Sequence, residues 1–103
     1  MLESAIERRL VRGIKAAGGM AYKFTSPGHA GVPDRLVLMP GGRLYFVELK
    51  QAHGVLTPLQ IETHNRLRAL GFDVRTLYGK EYVEGFLREV GAVPAPQVQT
   101  RMR

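Results

Sequence analysis

Two short segments on either side of a predicted turn constrain the fold of this 103-residue chain more than any other feature. The first reads GVPD at residues 31–34, and the second reads ELK at residues 48–50. The stretches between them, 35–39 and 43–47, are mostly apolar and flank a Pro-Gly-Gly sequence at 40–42. This arrangement predicts a strand, a tight turn and a second strand. One rigid hairpin would then carry two carboxylates and a lysine at its open end.

The turn residues also predict the register of this hairpin. A three-residue loop at 40–42 makes Met39 face Arg43, and Asp34 then lies opposite Glu48 on the same face of the sheet. A two-residue Gly-Gly loop would put the two carboxylates on opposite faces. Proline fits the first position of a type I turn and glycine fits the following left-handed position. The sequence therefore favours the register in which the carboxylates meet.

A pair of carboxylates beside a lysine indicates metal-assisted hydrolysis of a phosphodiester. Carboxylate oxygens are ligands that Mg²⁺ prefers, and a bound metal polarises a phosphate and lowers the pKa of a water. Lys50 shares the face of Glu48 because side chains alternate along a strand. In the alternative interpretation, Asp34 only begins a strand, and Glu48 and Lys50 form a solvated face. The strands are apolar on both faces, which favours central, covered strands in which terminal charges need a partner or a metal.

Composition narrows the classes of function. The net charge of +6 and the pI near 10.2 indicate a polyanionic partner, with nucleic acid ahead of an anionic membrane surface. The absence of cysteine excludes a disulfide framework and a thiolate zinc site. No apolar run approaches the roughly 20 residues that a membrane span needs, and the acidic N-terminus does not resemble a signal peptide. We therefore expect one small intracellular domain without a membrane partner.

Hydrophobic periodicity and turn residues predict the element order α-β-β-β-α-β-α. The predicted helices cover residues 2–17, 58–70 and 79–90, and the predicted strands cover 20–25, 35–39, 43–50 and 72–77. Thr57 fits the N-cap of the second helix, with Gln60 completing a capping box. A helix between the third and fourth strands implies a right-handed crossover and a parallel pair. The prediction is an α/β fold with a mixed four-stranded sheet and helices on both faces, followed at 91–103 by an extended or disordered basic tail.

The order of elements and four local strings resemble a known nuclease family. The strings are SPG at 26–28, GVPDRL at 31–36, FVELK at 46–50 and L-x-P-x-Q at 56–60. Together they resemble the VRR-NUC domain of the PD-(D/E)xK superfamily, which has a restriction-endonuclease-like core. The resemblance covers roughly residues 3–90, so we expect a nuclease domain at 1–90.

The resemblance implies a set of site residues. Asp34 and Glu48, helped by the Leu49 carbonyl, would bind Mg²⁺ or Mn²⁺. Lys50 would hold or polarise the attacking water or stabilise charge on the phosphate, and Gln60 would reach the same site. An acid from the first helix would complete the catalytic set, with Glu7 preferred and Glu3 as the alternative. Basic residues expected to hold DNA phosphates, rather than form an ordinary solvated face, are Arg8, Arg9, Arg12, Lys15, Arg35 and Arg43.

The function implied is a metal-dependent DNA endonuclease acting on branched DNA in the manner of a Holliday-junction resolvase. The host would be a bacterium or a phage-infected cell, with the protein in the cytoplasm. A homodimer is expected because symmetric cleavage needs two sites, and the apolar last helix (Tyr82, Val83, Phe86, Leu87) offers a surface for a second copy. Two alternatives stay open. One is a nuclease for flap or duplex-end DNA or for RNA, and the other is a non-catalytic nucleic-acid-binding module.

Overall fold

The computed structural model describes residues 3–92, and describes side chains for residues 4–91. It contains, in chain order, α1 (Glu3–Ala16), β1 (Met20–Lys23), β2 (Arg35–Met39), β3 (Arg43–Lys50), α2 (Pro58–Ala69), β4 (Asp73–Tyr78) and α3 (Gly79–Ala92). This order confirms the predicted one. The last helix continues two residues beyond the predicted end, and residues 93–103 of the expected tail lie outside the described residues.

The four strands form one mixed sheet in the order β1-β2-β3-β4. β1 pairs with β2 and β2 with β3 in antiparallel fashion, whereas β3 and β4 are parallel. The crossover from β3 to β4 runs through α2, as the sequence predicts. β2 and β3 are therefore the central strands, and the hairpin that they form positions the predicted site.

The β2–β3 hairpin has the predicted three-residue loop. Met39 pairs with Arg43 and Arg35 pairs with Val47, so the same register places Asp34 opposite Glu48, one step beyond the last paired residue of β2. Gly41 and Gly42 have φ angles of 86° and 74°. Residues with a side chain rarely adopt this left-handed backbone conformation, which explains why two glycines follow the proline in this turn.

One face of the sheet carries the hydrophobic core. The apolar stripe of α1 (Ile6, Leu10, Ile14) is buried to 1% exposure or less, and each such side chain contributes about 1.5–3 kcal/mol by burial. α3 packs beside α1 on this face and adds three core residues, Val83, Phe86 and Val90. The sheet supplies the rest of the core (Val37, Met39, Tyr45, Val47, Leu49 and Leu77).

The opposite face is covered only in part, by α2. Of the residues of α2, only His64 is buried. A row of contacting aromatic rings (Phe24, Phe46, Phe72) lies on this side of the sheet. Large apolar side chains remain exposed on this face beyond α2, and we call this group the open sheet face: Met20, Tyr22, Leu38 and Phe72. The expectation that helices cover both faces is therefore met fully on one face and partly on the other. None of the described helices has the length and apolar character needed to cross a membrane.

Candidate active site

The open end of the hairpin brings together the predicted carboxylates and the lysine. The Glu48 side chain is buried, with the residue 5% exposed, and its Oε2 lies 3.9 Å from Nζ of Lys50. The Leu49 amide donates a hydrogen bond of 3.3 Å to Oδ1 of Asp34. This bond ties the Asp34 side chain to the backbone that carries Glu48. Two carboxylates and one ammonium group therefore occupy one corner of the sheet.

Gln60 connects the start of α2 to the buried carboxylate. Its backbone N–H donates to Oγ1 of Thr57 at 3.1 Å, and its side-chain oxygen accepts from the Thr57 backbone N–H at 2.9 Å. Its Nε2 donates to Oε2 of Glu48 at 3.3 Å. A single side chain thus completes the capping box and orients the Glu48 carboxylate. The two interpretations of Gln60 made from the sequence are compatible.

The segment before Asp34 is held against α2 by a close backbone approach. Gly31 has a φ angle of 99°, and a Cβ built on it would lie 2.8 Å from the carbonyl oxygen of Leu59. A side chain at this position would therefore collide with the helix. The Asp34 carbonyl accepts a hydrogen bond of 2.8 Å from the N–H of Phe24. These contacts fix the position of Asp34 although it lies just outside the strand.

His64 is a site neighbour that the sequence analysis did not identify. It is fully buried, and its Nε2 lies 4.0 Å from Oε1 of Glu48. Burial, followed by the positive charges of Arg68 and Lys50, lowers the pKa of His64, which favours the neutral form of the ring. Because His64 follows Gln60 by four residues, one helical turn puts both on the face of α2 that meets Glu48. That spacing is the signal by which it could have been found.

The oxygen atoms at this corner suit a hard divalent cation. Among the side chains of residues 4–91, no group of three or more His, Cys, Asp or Glu residues could hold a metal ion. A metal here would have two carboxylates, from Asp34 and Glu48, a backbone carbonyl such as that of Leu49, and water. Mg²⁺ keeps several waters and uses few protein carboxylates, so the donor set fits Mg²⁺ in number and in chemistry.

Comparison with known proteins identifies the family. A protein of Acyrthosiphon pisum secondary endosymbiont phage 1, named "Putative nuclease p44", is 51% identical over 75 residues, which cover 73% of this chain and 81% of the relative. A solved structure described as a VRR_NUC domain superposes with a TM-score of 0.79 at 29% identity, covering 84% of this chain and 94% of the other. No family model matches the sequence. The chain belongs to the VRR-NUC family of nucleases.

Glu7, the preferred candidate for the first-helix acid of this VRR-NUC chain, is engaged by an arginine. Oε2 of Glu7 accepts a hydrogen bond of 2.6 Å from Arg35, the residue that follows Asp34. The register of β2 puts Arg35 on the face of the sheet that packs against α1, opposite to the face of Glu48. Glu3 begins α1, and its side chain lies outside the described ones. The choice of Glu7 over Glu3 stays a prediction.

The predicted phosphate-binding residues divide into two groups. Three guanidinium groups are held within the fold: Arg9 by both oxygens of Glu84, Arg35 by Glu7, and Arg43 by the carbonyls of Pro40 and Val90. The Arg9–Glu84 pair joins α1 to α3. The other three residues (Arg8, Arg12, Lys15) are exposed along α1. The sequence could not separate the groups, because Glu84 lies 75 residues from Arg9.

Proposed function

We propose that this protein is a Mg²⁺- or Mn²⁺-dependent DNA endonuclease that hydrolyses phosphodiester bonds in branched DNA, above all in Holliday junctions. The observation that carries the proposal is the convergence of Asp34, Glu48 and Lys50 at one end of a rigid hairpin, with Gln60 bonded to the buried carboxylate. The nuclease name of the phage relative supports the same chemistry.

Each site residue has a role in that reaction. Asp34 and Glu48 would hold the cation with the Leu49 carbonyl, and a cation held there would supply a charge that polarises the scissile phosphate and lowers the pKa of a water. Lys50 places a positive charge where negative charge grows on the phosphate oxygens, which stabilises the transition state. Gln60 keeps the Glu48 carboxylate in one orientation. The water oxygen forms a new bond to phosphorus while the bond from phosphorus to the departing sugar oxygen breaks, and one proton of the water passes overall to that sugar oxygen, which leaves as a hydroxyl group.

Glu7 is the helix acid that we assign to this site. Its carboxylate is partly exposed, and its partner Arg35 follows Asp34 in the chain. A phosphate that attracted Arg35 would compete with Glu7 for the same guanidinium group. DNA binding would then release the Glu7 carboxylate, which lies with Arg35 on the face of the sheet opposite to Glu48.

Substituting glutamine for Arg8, Arg12 and Lys15 together is expected to weaken DNA binding and flatten its dependence on salt. Each phosphate contact that is lost should reduce the slope of log K against log salt by roughly 0.9 on duplex DNA. The dissociation constant is measured by fluorescence anisotropy over a series of salt concentrations without added metal. Arg9→Gln is the matched control, because Glu84 already holds that guanidinium group. An unchanged slope in the triple variant would show that the exposed face of α1 is only solvated.

The choice of Holliday junctions as the main substrate requires two active sites. One site cuts one strand, and symmetric cleavage of a four-way junction needs two sites related by a two-fold axis. The apolar residues of α3 are mostly used in the chain's own core, since Val83 and Phe86 are buried and Leu87 is packed against them. The open sheet face is the better surface for a second copy, because exposed apolar patches mark interaction sites. We propose a homodimer.

Cleavage of a four-way junction is expected to be faster than cleavage of a flap, a linear duplex, a single strand or an RNA of the same sequence. All are compared under one Mg²⁺ concentration, and light scattering gives the oligomeric state over micromolar protein concentrations. If another substrate is cleaved faster, that substrate and not the Holliday junction is the main substrate. A monomer throughout would overturn the homodimer. If none of these nucleic acids is cleaved but DNA is still bound, the protein is a non-catalytic nucleic-acid-binding module.

A further inference from the structure

Two tyrosines form a partly exposed aromatic pair at the end of the parallel strands. Tyr78 is the last residue of β4, and Tyr82 lies on the first turn and a half of α3. Their ring centroids are 5.5 Å apart, and the rings meet edge to face at 78°. Tyr82 is 55% exposed. A ring of this size with more than half of its surface in water contributes little to the core.

The aromatic pair lies next to the lysine of the candidate active site. Tyr78 is the register partner of Lys50 across the parallel β3–β4 pair. Neighbouring strands are about 4.8 Å apart, and register partners point to the same face. The pair therefore stands one strand beyond Lys50, on the side away from Asp34. A nucleotide attached to a phosphate at Lys50 would therefore lie about one strand spacing from Tyr78.

A pocket of about 500 Å³ surrounds the pair. Besides the two tyrosines it is lined by Ala52, two residues after Lys50, and by Lys80 and Glu81. Lys50 and Lys80 would favour an anionic strand passing here. Glu81 would repel a phosphate placed directly beside it, so the pocket suits the uncharged base of a nucleotide better than its phosphate.

We propose that this pocket binds an unpaired nucleobase of the DNA strand whose phosphate lies at Lys50, by stacking the base on Tyr82. Bases of every sequence have an aromatic face, so stacking binds a strand without reading its sequence. Single strands, flaps and opened branch points expose unpaired bases, whereas the paired bases of a duplex or of a fully paired four-way junction are stacked inside the helix. The inference rests on the proposed function and deepens it, because it gives a physical reason for preferring DNA with unpaired bases over a continuous duplex.

Tyr82→Ala is expected to raise the dissociation constant for a short fluorescent oligodeoxythymidylate by roughly 5- to 150-fold, the range that loss of one stacked base gives. Tyr82→Phe keeps the ring and is expected to bind as the parent protein does. Leu70→Ala is the control for loss of an exposed apolar side chain, because Leu70 is 74% exposed at the far end of α2. Binding is measured by anisotropy in EDTA, so that the readout does not depend on cleavage.

A second measurement assigns the loss to stacking. An abasic nucleotide is moved one position at a time through the oligonucleotide, which is held in one register by a short duplex at one end. At the stacked position the abasic change is expected to weaken binding to the parent protein and to have no further effect on Tyr82→Ala. Equal abasic effects on both proteins at every position would overturn the proposal, as would unchanged binding by Tyr82→Ala.

Other outcomes separate this inference from the proposed function. Loss of binding by Tyr82→Ala in a protein that cleaves no DNA would retain the base pocket and refute the nuclease. Cleavage of junctions at the parent rate, with oligonucleotide binding unaffected by Tyr82→Ala, would retain the nuclease and refute the pocket. A larger Tyr82 effect on an oligouridylate than on the DNA probe would overturn the assignment to DNA.

Discussion

Asp34→Asn and Glu48→Gln are each expected to abolish DNA cleavage while the domain stays folded. Each substitution removes the charge of a proposed metal ligand and changes the side-chain volume very little. Loss of an outer-shell partner of a metal typically costs about 10- to 100-fold in affinity or activity. Loss of a direct ligand should exceed that range. Cleavage of a labelled four-way junction is measured with Mg²⁺ and again with Mn²⁺.

Three further measurements make this result specific. Circular dichroism and thermal unfolding establish that both variants are folded. Calorimetric titration with Mn²⁺ is expected to show weakened metal binding, a readout that does not require DNA. Glu84→Gln is the matched control, since it removes a carboxylate that pairs with Arg9 on the opposite side of the sheet. Full activity in either Asp34→Asn or Glu48→Gln would refute the assignment of these residues.

The hairpin was predictable because its determinants are local. A proline followed by two glycines favours the three-residue loop over the two-residue one, and the loop length fixes every cross-strand pair, including Asp34 with Glu48. The capping box of α2 is equally local, because Thr57 and Gln60 are three residues apart. Sequence patterns of this kind report on backbone geometry within a few residues. They located the fold and the proposed catalytic corner.

Long-range partners were not predictable in the same way. The sequence does not distinguish Arg8 from Arg9, which are neighbouring arginines on the same helix. In the structure, Arg9 pairs with the carboxylate of Glu84 on α3. That choice depends on how α1 and α3 pack, which no local pattern encodes. The incomplete cover of the second face has a similar origin. α2 begins beside Glu48 and is too short to reach Met20 and Tyr22 at the edge of the sheet. It is also too polar to cover an apolar surface there.

The buried polar cluster beneath α2 is another feature that depends on the tertiary structure and could not be predicted from local sequence. Thr76 is the register partner of Glu48, and its hydroxyl oxygen is buried, as are both ring nitrogens of His64. Polar atoms in such a position usually cost stability. These buried polar groups lower the stability of the fold, but they lie beside a proposed metal ligand, Glu48, whose carboxylate is oriented and desolvated. Such a loss of stability is common at functional sites. The sequence shows these residues as an ordinary strand threonine and a helix histidine.

Lys50→Ala is expected to reduce the cleavage rate nearly as far as the carboxylate variants do, while metal binding is retained. The reason is that Lys50 is proposed to act on the phosphate and the water rather than as a ligand. Its Nζ lies 3.9 Å from Glu48, on the partly exposed side of the site. The rate constant is measured at saturating junction DNA, and Mn²⁺ binding is measured by calorimetry. Lys23→Ala, at an exposed position on β1, controls for loss of a lysine charge.

Lys50→Arg distinguishes the two roles that Lys50 can have in the reaction. Arginine keeps a positive charge but does not deprotonate in proteins, so it can stabilise a phosphate and cannot act as a general base. If Lys50 acts by its charge, as we propose, the arginine variant should retain more activity than the alanine variant in the same junction assay. Equal inactivity of the two, with both folded and both binding Mn²⁺ as the parent does, would favour proton transfer by Lys50. Loss of Mn²⁺ binding in Lys50→Ala would instead mean that the lysine is needed to assemble the carboxylates, because only then does its removal change the metal site itself.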